Sequence, residues 1–389
     1  MISNFIQPPM QLELNDQQKM IQKMVREFAE KEVGPIAAEL DETGEFPTKT
    51  LEKMAKLGLL GIFIPTEYGG AGLDAISYAT VIEEISRKCA STGVITSVHN
   101  YLVSCPIMKY GTDEQKKKYL PILAKGEKIG AFAGTEPNAG SDLGAMQTTA
   151  KLKGSKYIIN GDKTFITSGP KAGIIIVFAV TDKSAGVKGI SAFIVENTMK
   201  GFKVGSIFDK MGINANLVSE LIFEEMEVPK ENLLGKEGDG FKIALSTLDG
   251  GRIGIAAQAV GIAQAALDES IEYSKQRQQF GRPIAKFQAI QWMIAEMATH
   301  IEAARYLLYN AAYAKDQGGR FSKEAAMAKL FASETAMNAA IKAVQIHGGY
   351  GYTKEYTVER LFRDAKITEI YEGTSEVQKM VIAGSLLRQ

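Results

Sequence analysis

The chain has 389 residues, of which 45% are hydrophobic and 23% are charged, as in an ordinary globular protein of two or three domains. Lysine plus arginine and aspartate plus glutamate both number 45, so there is no basic excess of the kind that holds nucleic acid by its phosphates. The two cysteines and three histidines have neither the spacing nor the clustering of a metal site, and no metal is expected.

The first third of the chain has the apolar periodicity of helices. The first predicted helix runs from Asp16 to Val33 and begins at the capping pair Asn15-Asp16. Further helices are predicted from Phe46-Pro47 to Gly58, from Tyr78 to Ser86 and from Glu114 to Leu123. The first twenty residues contain one cation and no long apolar run, so a cytoplasmic enzyme, or a mature mitochondrial one, is expected.

Between Ile129 and Val228 the periodicity changes to that of strands. Asn160-Gly161, between Tyr157-Ile158-Ile159 and Thr164-Phe165-Ile166-Thr167, predicts a tight hairpin. Further strands are predicted at Ile174 to Val180, Ile190 to Val195 and Leu221 to Val228. The middle of the chain is therefore expected to form a compact β domain.

Past Gly240 the pattern is helical again, and one apolar stripe alternates steps of three and four residues. The stripe consists of Phe287, Ile290, Ile294, Met297, Ile301, Ala304 and Leu308. Such a seam packs either within one chain or between chains. The sequence predicts a mainly α protein with a central β domain: a helical domain over 1–125, a β domain over 126–235 and a helical bundle over 236–389.

Three segments contain candidate catalytic or ligand-binding residues. The first is Ile370-Tyr371-Glu372-Gly373-Thr374-Ser375-Glu376, in which an acid precedes a glycine that lets the backbone approach a flat ligand. Its last three residues begin the final predicted helix, Val377 to Leu387, whose free N–H groups suit a phosphate. The other two segments are Gln345-Ile346-His347-Gly348-Gly349-Tyr350-Gly351-Tyr352 and Thr135-Glu136-Pro137-Asn138-Ala139-Gly140-Ser141-Asp142.

In their order and spacing these segments resemble the acyl-CoA dehydrogenase family, which oxidises acyl-CoA thioesters with FAD. The resemblance covers the chain from about Leu14 onward. It implies a three-domain fold, with a helical N-terminal domain, a β middle domain and a C-terminal four-helix bundle that assembles into a homotetramer. It also implies that FAD lies where the three domains meet.

Glu372 is the candidate catalytic residue. From composition alone it would be a solvated surface acid, but in the family a glutamate at this position removes the α-proton of the thioester. Such a base needs apolar surroundings that raise the pKa of its carboxyl group, so that it accepts a proton from a weak carbon acid. A second branch of the family takes its base from the position of Gly251, which has no side chain. The resemblance therefore leaves Glu372 as the base and argues against the isovaleryl-type and long-chain-type branches.

The resemblance also implies the ligand-binding residues. The predicted cofactor-binding residues are Phe132, Thr135, Ser141, Phe165, Ile166, Thr167, Arg277, Phe280, Gln288, Gln345, Gly348, Gly349, Thr374, Ser375 and Glu376. The predicted substrate-binding residues are Ser141, Asp249, Arg252, Tyr371 and Gly373. Without the resemblance, the segment around Thr135 and Ser141 would be a surface turn, and Arg252 would be a surface residue at a helix start.

The predicted reaction converts a short-chain acyl-CoA to trans-2-enoyl-CoA and passes electrons to an electron-transferring flavoprotein. Gly250-Gly251-Arg252 resembles the butyryl-type members, which favours a short acyl chain. Two features depart from the family: Tyr101 stands where relatives often have serine, and Gly134 where they usually have a larger apolar residue. Three alternatives stay open: a branched or cyclic acyl-CoA as substrate, an oxidase that passes electrons to oxygen, and a non-catalytic CoA-binding protein.

Overall fold

The structure is a computed structural model that describes residues 13–387. Residues 1–12, which belong to the predicted first domain and to the first twenty residues on which the expected location rests, lie outside the described residues, as do 388–389. The helices are α1 (Asp16–Phe28), α2 (Ala37–Thr43), α3 (Thr48–Lys56), α4 (Ala75–Ser86), α5 (Ala90–Ser97), α6 (Cys105–Tyr110), α7 (Asp113–Ala124), α8 (Gly240–Gln276), α9 (Gln288–Asp316), α10 (Ser322–His347), α11 (Thr357–Ile367) and α12 (Ser375–Leu387). The strands are β1 (Ile129–Ala133), β2 (Thr149–Lys153), β3 (Lys156–Thr167), β4 (Ala172–Val180), β5 (Ile190–Glu196), β6 (Phe202–Ile207), β7 (Val218–Pro229), β8 (Leu233–Leu234), β9 (Gln278–Gln279) and β10 (Arg282–Pro283). The predicted fold class, mainly α with a central sheet, is confirmed.

The first helix begins where its local signal predicts. The Asn15 side chain accepts a hydrogen bond from the backbone N–H of Gln18, and the Gln18 side chain accepts one from the N–H of Asn15, each at 2.9 Å. The predicted helix continues to Val33, but α1 ends at Phe28 and Ala29–Val33 form a π-helix. The other helices predicted in this part of the chain correspond to α3, α4 and α7.

The strands β1 to β8 form one sheet, in the order β6-β7-β3-β2-β4-β5-β8 with β1 parallel to β4. Both faces of β4 are buried, because its side chains alternate between two cores. Ile174 and Ile176 pack with helix residues such as Leu120, whereas Ile175 and Val177 pack with side chains of β3, β5 and β7. This double burial accounts for the unbroken apolar run from which the strand was predicted.

The hairpin predicted at Asn160-Gly161 is wrong. Both residues lie inside the continuous strand β3, whose pairing with β7 is irregular at this point. Gly161 has a φ of +143°, and a Cβ there would lie 2.5 Å from Oγ1 of Thr148 and 2.8 Å from its Cα. Glycine is therefore present for a bulge and a close backbone approach, not for a turn. The turn lies instead at Gly154, between β2 and β3, and Phe165 to Thr167 end a strand.

The chain divides into two compact units. The helical unit comprises the described residues of Met1–Pro35, Asp74–Ala90 and Ile255–Gln389, and the sheet unit comprises Ile36–Leu73 and Ser91–Gly254. The predicted domain boundaries after residues 125 and 235 stay a prediction.

The helical unit buries the second half of the predicted seam, because Met297, Ile301, Ala304 and Leu308 of α9 lie in its interior. Next to α9, helix α10 buries a face made mostly of alanines. These are Ala325, Ala326, Ala328, Ala332, Ala336, Ala339, Ala340 and Ala343. Within residues 13–387, no helix combines the length and the apolar character needed to cross a membrane.

Candidate functional site

Glu372 lies in the short segment between α11 and α12 of the helical unit. Its φ is +51° and that of Gly373 is +96°, so two consecutive residues have left-handed backbone. This conformation is unfavourable for a residue with a Cβ, and it persists only where the surroundings enforce it. The positive φ of residue 373 explains the glycine, and a Cβ there would also lie 2.7 Å from Nε2 of Gln378. The Glu372 side chain is thus presented on a strained turn.

Tyr371, the residue before the base, is anchored to α8. Its hydroxyl donates to Oε1 of the buried Gln258, and Nε2 of Gln258 donates to the carbonyl of Ala90 at 2.9 Å. Burial, and then the neighbouring Glu372 carboxylate, raise the pKa of the Tyr371 phenol well above its ordinary value. The phenol therefore keeps its proton and its bond to α8.

Residues Thr374–Glu376 begin the last helix, as predicted. Thr374 Oγ1 accepts the N–H of Val377 at 3.4 Å, and the N–H of Ser375 donates to the carbonyl of Glu369 at 3.0 Å. The Ser375 hydroxyl is buried and has no hydrogen-bond partner among the described residues. A buried hydroxyl of this kind is expected to meet a ligand or a water.

A groove of about 510 Å³ lies in the helical unit beside the end of α8. Arg277, Tyr350, Gly348 and Gly349 line it, and the guanidinium of Arg277 lies over the Tyr350 ring at 5.5 Å. Gly348 has a φ of +61°, and a Cβ on either glycine would meet nothing within 4 Å. A cation, an aromatic face and open backbone together suit a ligand that carries phosphate and a flat ring.

Three other predicted cofactor residues of this unit are exposed. Phe280 has a φ of +52°, and 90% of its surface is exposed. Gln288 is the first residue of α9, and Gln345 lies in the last turn of α10. A large apolar side chain held in water on strained backbone is typical of a residue that meets a ligand or a second chain.

In the sheet unit, β1 and the loop after it carry Phe132, Thr135 and Ser141. The Phe132 ring packs against Phe178 with 4.9 Å between centroids. The carbonyl of Thr135 accepts the N–H of Thr164 at 2.9 Å, which ties the loop to β3. Ser141, near the middle of the segment between β1 and β2, is exposed.

A buried ion pair that sequence reasoning missed joins the same loop to β3. Nζ of Lys163 lies 2.8 Å from Oε1 of Glu136 and 3.1 Å from the carbonyl oxygen of Gly134. Glu136 also accepts the N–H groups of Gln147 at 2.6 Å and Thr148 at 3.0 Å. Burial lowers the pKa of Lys163 to about 8. Burial alone would raise the pKa of Glu136, but the charge of Lys163 and these hydrogen bonds outweigh it and lower that pKa.

Phe165, Ile166 and Thr167 end β3. Phe165 has a φ of +57° and is 63% exposed, with its ring against Phe208 at 4.8 Å. Ile166 is buried and Thr167 half-buried. The next residue, Ser168, has a φ of +59°, and its buried hydroxyl has no hydrogen-bond partner in the described part of the chain.

Asp249 and Arg252 lie inside α8, so the alternative of a surface arginine at a helix start is wrong. Arg252 is buried, and its Nη1 lies 2.6 Å from Oδ1 of Asp249. Asp249 also lines a second groove, of about 400 Å³, together with Phe241 and Lys242. Asp249 therefore lies at this groove of the sheet unit, and the buried Arg252 is its ion-pair partner.

The structure thus groups the predicted residues by unit. In the helical unit, Tyr371 to Glu376 share one turn, and Arg277 meets Gly348 and Gly349 in one groove. Phe280, Gln288 and Gln345 also belong to the helical unit, whereas the predicted residues from Phe132 to Arg252 belong to the sheet unit. Sequence reasoning missed Gln258, Lys329 and Gln378, which hold the Glu372 turn, because their partners are distant in sequence or on the backbone.

Comparison with known proteins matches most of the chain to one family. Residues 15–127 match the acyl-CoA dehydrogenase N-terminal domain, residues 131–226 the middle domain and residues 238–387 the C-terminal domain. The "Acyl-CoA dehydrogenase, short-chain specific" of Clostridium acetobutylicum is 57% identical over 379 residues, which cover 97% of this chain and 100% of that protein.

Two solved structures are similar over the whole fold. A chain in the structure described as the electron transferring flavoprotein of Acidaminococcus fermentans has a TM-score of 0.97 and 56% identity, covering 98% of this chain and 100% of that chain. Butyryl-CoA dehydrogenase from Megasphaera elsdenii has a TM-score of 0.96 and 49% identity, covering 97% of this chain and 100% of that chain. The protein therefore belongs to the acyl-CoA dehydrogenase family, whose members are FAD-dependent oxidoreductases.

Proposed function

We propose that this family member removes one hydrogen from each of the α and β carbons of a short-chain acyl-CoA and releases trans-2-enoyl-CoA, with Glu372 as the base. The observation that carries the proposal is the Glu372-Gly373 turn, in which strained backbone presents a carboxylate and helices hold the turn. Position 251, from which another branch of the family takes its base, is glycine in this chain. Similarity to a short-chain-specific relative and to a butyryl-CoA dehydrogenase supports a short acyl group.

The residues present fit FAD. Arg277, with the open backbone of Gly348 and Gly349, offers a cation and close approach to a diphosphate. The buried hydroxyls of Ser168 and Ser375, which have no hydrogen-bond partner among the described residues, would be satisfied by polar atoms of a ligand. When bound, FAD accepts the hydride that leaves the β-carbon and so supplies the redox step.

The chain's own residues supply binding and proton transfer in this proposal. Glu372 accepts the α-proton on its carboxylate, and its backbone N–H donates to the thioester carbonyl, which makes that proton more acidic. Tyr371 and Gly373 flank the thioester. Ser141, Asp249 and Arg252 bind the CoA part of the substrate.

We further propose an electron-transferring flavoprotein as the electron acceptor and a homotetramer as the assembly. Similarity to a chain in the Acidaminococcus fermentans flavoprotein structure supports the acceptor. Trp292 and Tyr306 lie on one face of α9 and are 62% and 46% exposed, which supports packing of that face against another chain. A cytoplasmic location is part of the same proposal.

Anaerobic addition of acyl-CoAs to the purified holoenzyme tests the proposed function. We expect butyryl-CoA to bleach the flavin absorbance faster than isobutyryl-, glutaryl-, cyclic or longer acyl-CoAs. Glu372→Gln should keep its flavin and leave it unbleached, whereas Glu355→Gln, which changes an exposed acid outside the site, should bleach at the wild-type rate. Bleaching by Glu372→Gln would contradict the proposal.

The same experiment separates the alternatives. A branched or cyclic acyl-CoA that bleaches fastest would change the substrate and keep the base. Steady release of peroxide in air, without a partner protein, would favour an oxidase. A purified protein that binds CoA and carries no flavin would favour a non-catalytic binding role.

A further inference from the structure

The left-handed backbone at Glu372 and Gly373 is held through one carbonyl group. The carbonyl oxygen of Gly373 accepts two hydrogen bonds, from Nζ of Lys329 at 2.8 Å and from Nε2 of Gln378 at 2.8 Å. Nε2 of Gln378 also lies 3.3 Å from the carbonyl oxygen of Glu372. Two side chains from two different helices, α10 and α12, therefore converge on the peptide that follows the carboxylate.

Both donors are inaccessible to solvent. Lys329 and Gln378 each have 0% of their surface exposed. Lys329 projects from the alanine face of α10 and is buried with neighbours such as Ala328 and Ala332. An ammonium group removed from water must form hydrogen bonds to remain charged, and the Gly373 carbonyl oxygen accepts one of them.

We propose that Lys329, together with Gln378, is a positioning residue that fixes the Glu372 carboxylate for α-proton removal by holding the Gly373 carbonyl. Fixing the peptide after residue 372 restricts the backbone angles that aim its side chain. Because Tyr371 is bonded to Gln258 on α8, the turn is held on both sides of Glu372. This inference depends on the proposed role of Glu372 as the base.

A merely structural role for Lys329 predicts a different result. If the lysine only stabilised the packing of α10 against α12, its loss would lower stability and leave the chemistry of the folded enzyme unchanged. A positioning role predicts a slower chemical step in an enzyme that still binds flavin and substrate. A shift of about 1 Å in a reacting group is enough to slow a reaction by about 100-fold.

The first test is reduction of the flavin in the holoenzyme by butyryl-CoA, followed by stopped flow. For Lys329→Met we expect wild-type flavin content, a KM within about twofold of wild type and flavin reduction slowed about 30- to 100-fold. The isotope effect with α-deuterated substrate should increase, because α-proton removal then limits the rate more strongly. Lys342→Met is the matched control: this lysine is on the same helix and pairs with Glu296 at 2.7 Å, and the rate should not change.

A second variant tests the positioning role if Lys329→Met does not fold. Gln378→Leu removes the other donor to the same carbonyl and changes no charge, and we expect flavin reduction to slow about tenfold with KM unchanged. A wild-type rate of flavin reduction in folded Lys329→Met overturns the inference. If that variant does not fold, a wild-type rate in Gln378→Leu overturns it.

Glu372→Gln separates the two proposals. If Glu372→Gln still reduces the flavin, the proposed function is wrong. If Glu372→Gln is inactive while Lys329→Met and Gln378→Leu react at the wild-type rate, Glu372 remains the base and only the positioning role is wrong.

Discussion

Tyr101 and Gly250 fit together only because position 250 has no side chain. A Cβ built on Gly250 would lie 1.7 Å from Cζ of Tyr101 and 2.1 Å from its hydroxyl oxygen, so the ring lies directly against the backbone of α8. Phe63 packs edge-on against the same ring, with centroids 5.4 Å apart. Tyr101 belongs to the π-helix Val98–Ser104 and is 6% exposed. Its ring is therefore fixed by two neighbours, and one of them must be glycine.

We predict that Tyr101→Ser shifts the acyl-chain preference toward longer or bulkier substrates. The resemblance predicts that this stretch borders the acyl pocket, and loss of the ring opens space beside Gly250. Each additional methylene buried there would raise kcat/KM relative to butyryl-CoA by about fourfold, from about 0.8 kcal/mol per methylene. The measurement is a chain-length profile of flavin reduction.

Two further variants test the same relationship. Tyr101→Phe keeps the ring and should keep the wild-type profile. Gly250→Ala should displace the ring and destabilise the protein by about 1–3 kcal/mol, the usual range for overpacking. Identical chain-length profiles for Tyr101→Ser and Tyr101→Phe would rule out a role of the ring in specificity.

The sequence predicts correctly those structural features that depend on residues close together in the chain. The cap at Asn15, the start of the last helix beside Thr374 and the buried face of α9 all follow from residues within a few positions. These features need no knowledge of the tertiary structure. The role of Glu372 follows from the resemblance to the family, because its local sequence alone would predict a surface acid.

Contacts between distant residues account for what the sequence did not predict. Asn160-Gly161 has the composition of a turn, but the glycine is needed because Thr148, the residue before β2, approaches it closely. Lys329 interrupts an alanine face, where a lysine is ordinarily expected to reach solvent, and its partner Gly373 is 44 residues away. Lys163 likewise sits in a strand pattern and finds Glu136 across a 27-residue separation.

His99 should make the protein less stable in acid. The N–H of Gly130 donates to Nδ1 of His99 at 3.1 Å, so Nε2 carries the proton and donates to the carbonyl of Leu123 at 3.0 Å. Burial lowers the pKa of His99 to about 4, against about 6.5 in the unfolded chain. The neutral ring therefore contributes stability that is fully present above pH 6.5 and is lost as the pH falls toward 4.

The measurement is the free energy of unfolding in urea at pH 7.5 and at pH 5. Protonation of His99 in the unfolded chain should cost the wild type about 2 kcal/mol at pH 5, from the two pKa values above. His99→Gln can form both hydrogen bonds without titrating, so its loss of stability should be smaller by about that amount. His300→Gln, which changes an exposed histidine of α9, should follow the wild type. Equal losses in all three proteins would contradict the prediction.

The ion pair between Glu136 and Lys163 should be costly to break and far less costly to remove as a whole. Glu136→Gln leaves a buried ammonium without its counterion and should destabilise the protein by about 3–5 kcal/mol. Lys163→Met should cost less, because Glu136 keeps the N–H groups of Gln147 and Thr148. In the double variant no buried charge is left unpaired, so its cost should be smaller than the sum of the two single costs.

Unfolding in urea measures these costs, and flavin content gives an independent readout. Since the loop that Glu136 holds is predicted to line the flavin, Glu136→Gln should also lose flavin more readily than the wild type. Glu227→Gln is the surface control, because Glu227 pairs with Lys156 at 2.6 Å and with Lys200 at 3.2 Å outside the interior. It should cost far less than Glu136→Gln and leave the flavin in place, because surface pairs contribute little. If the two single costs add in the double variant, Glu136 and Lys163 are not energetically coupled. The loop would then be held in place by its burial and not by the ion pair.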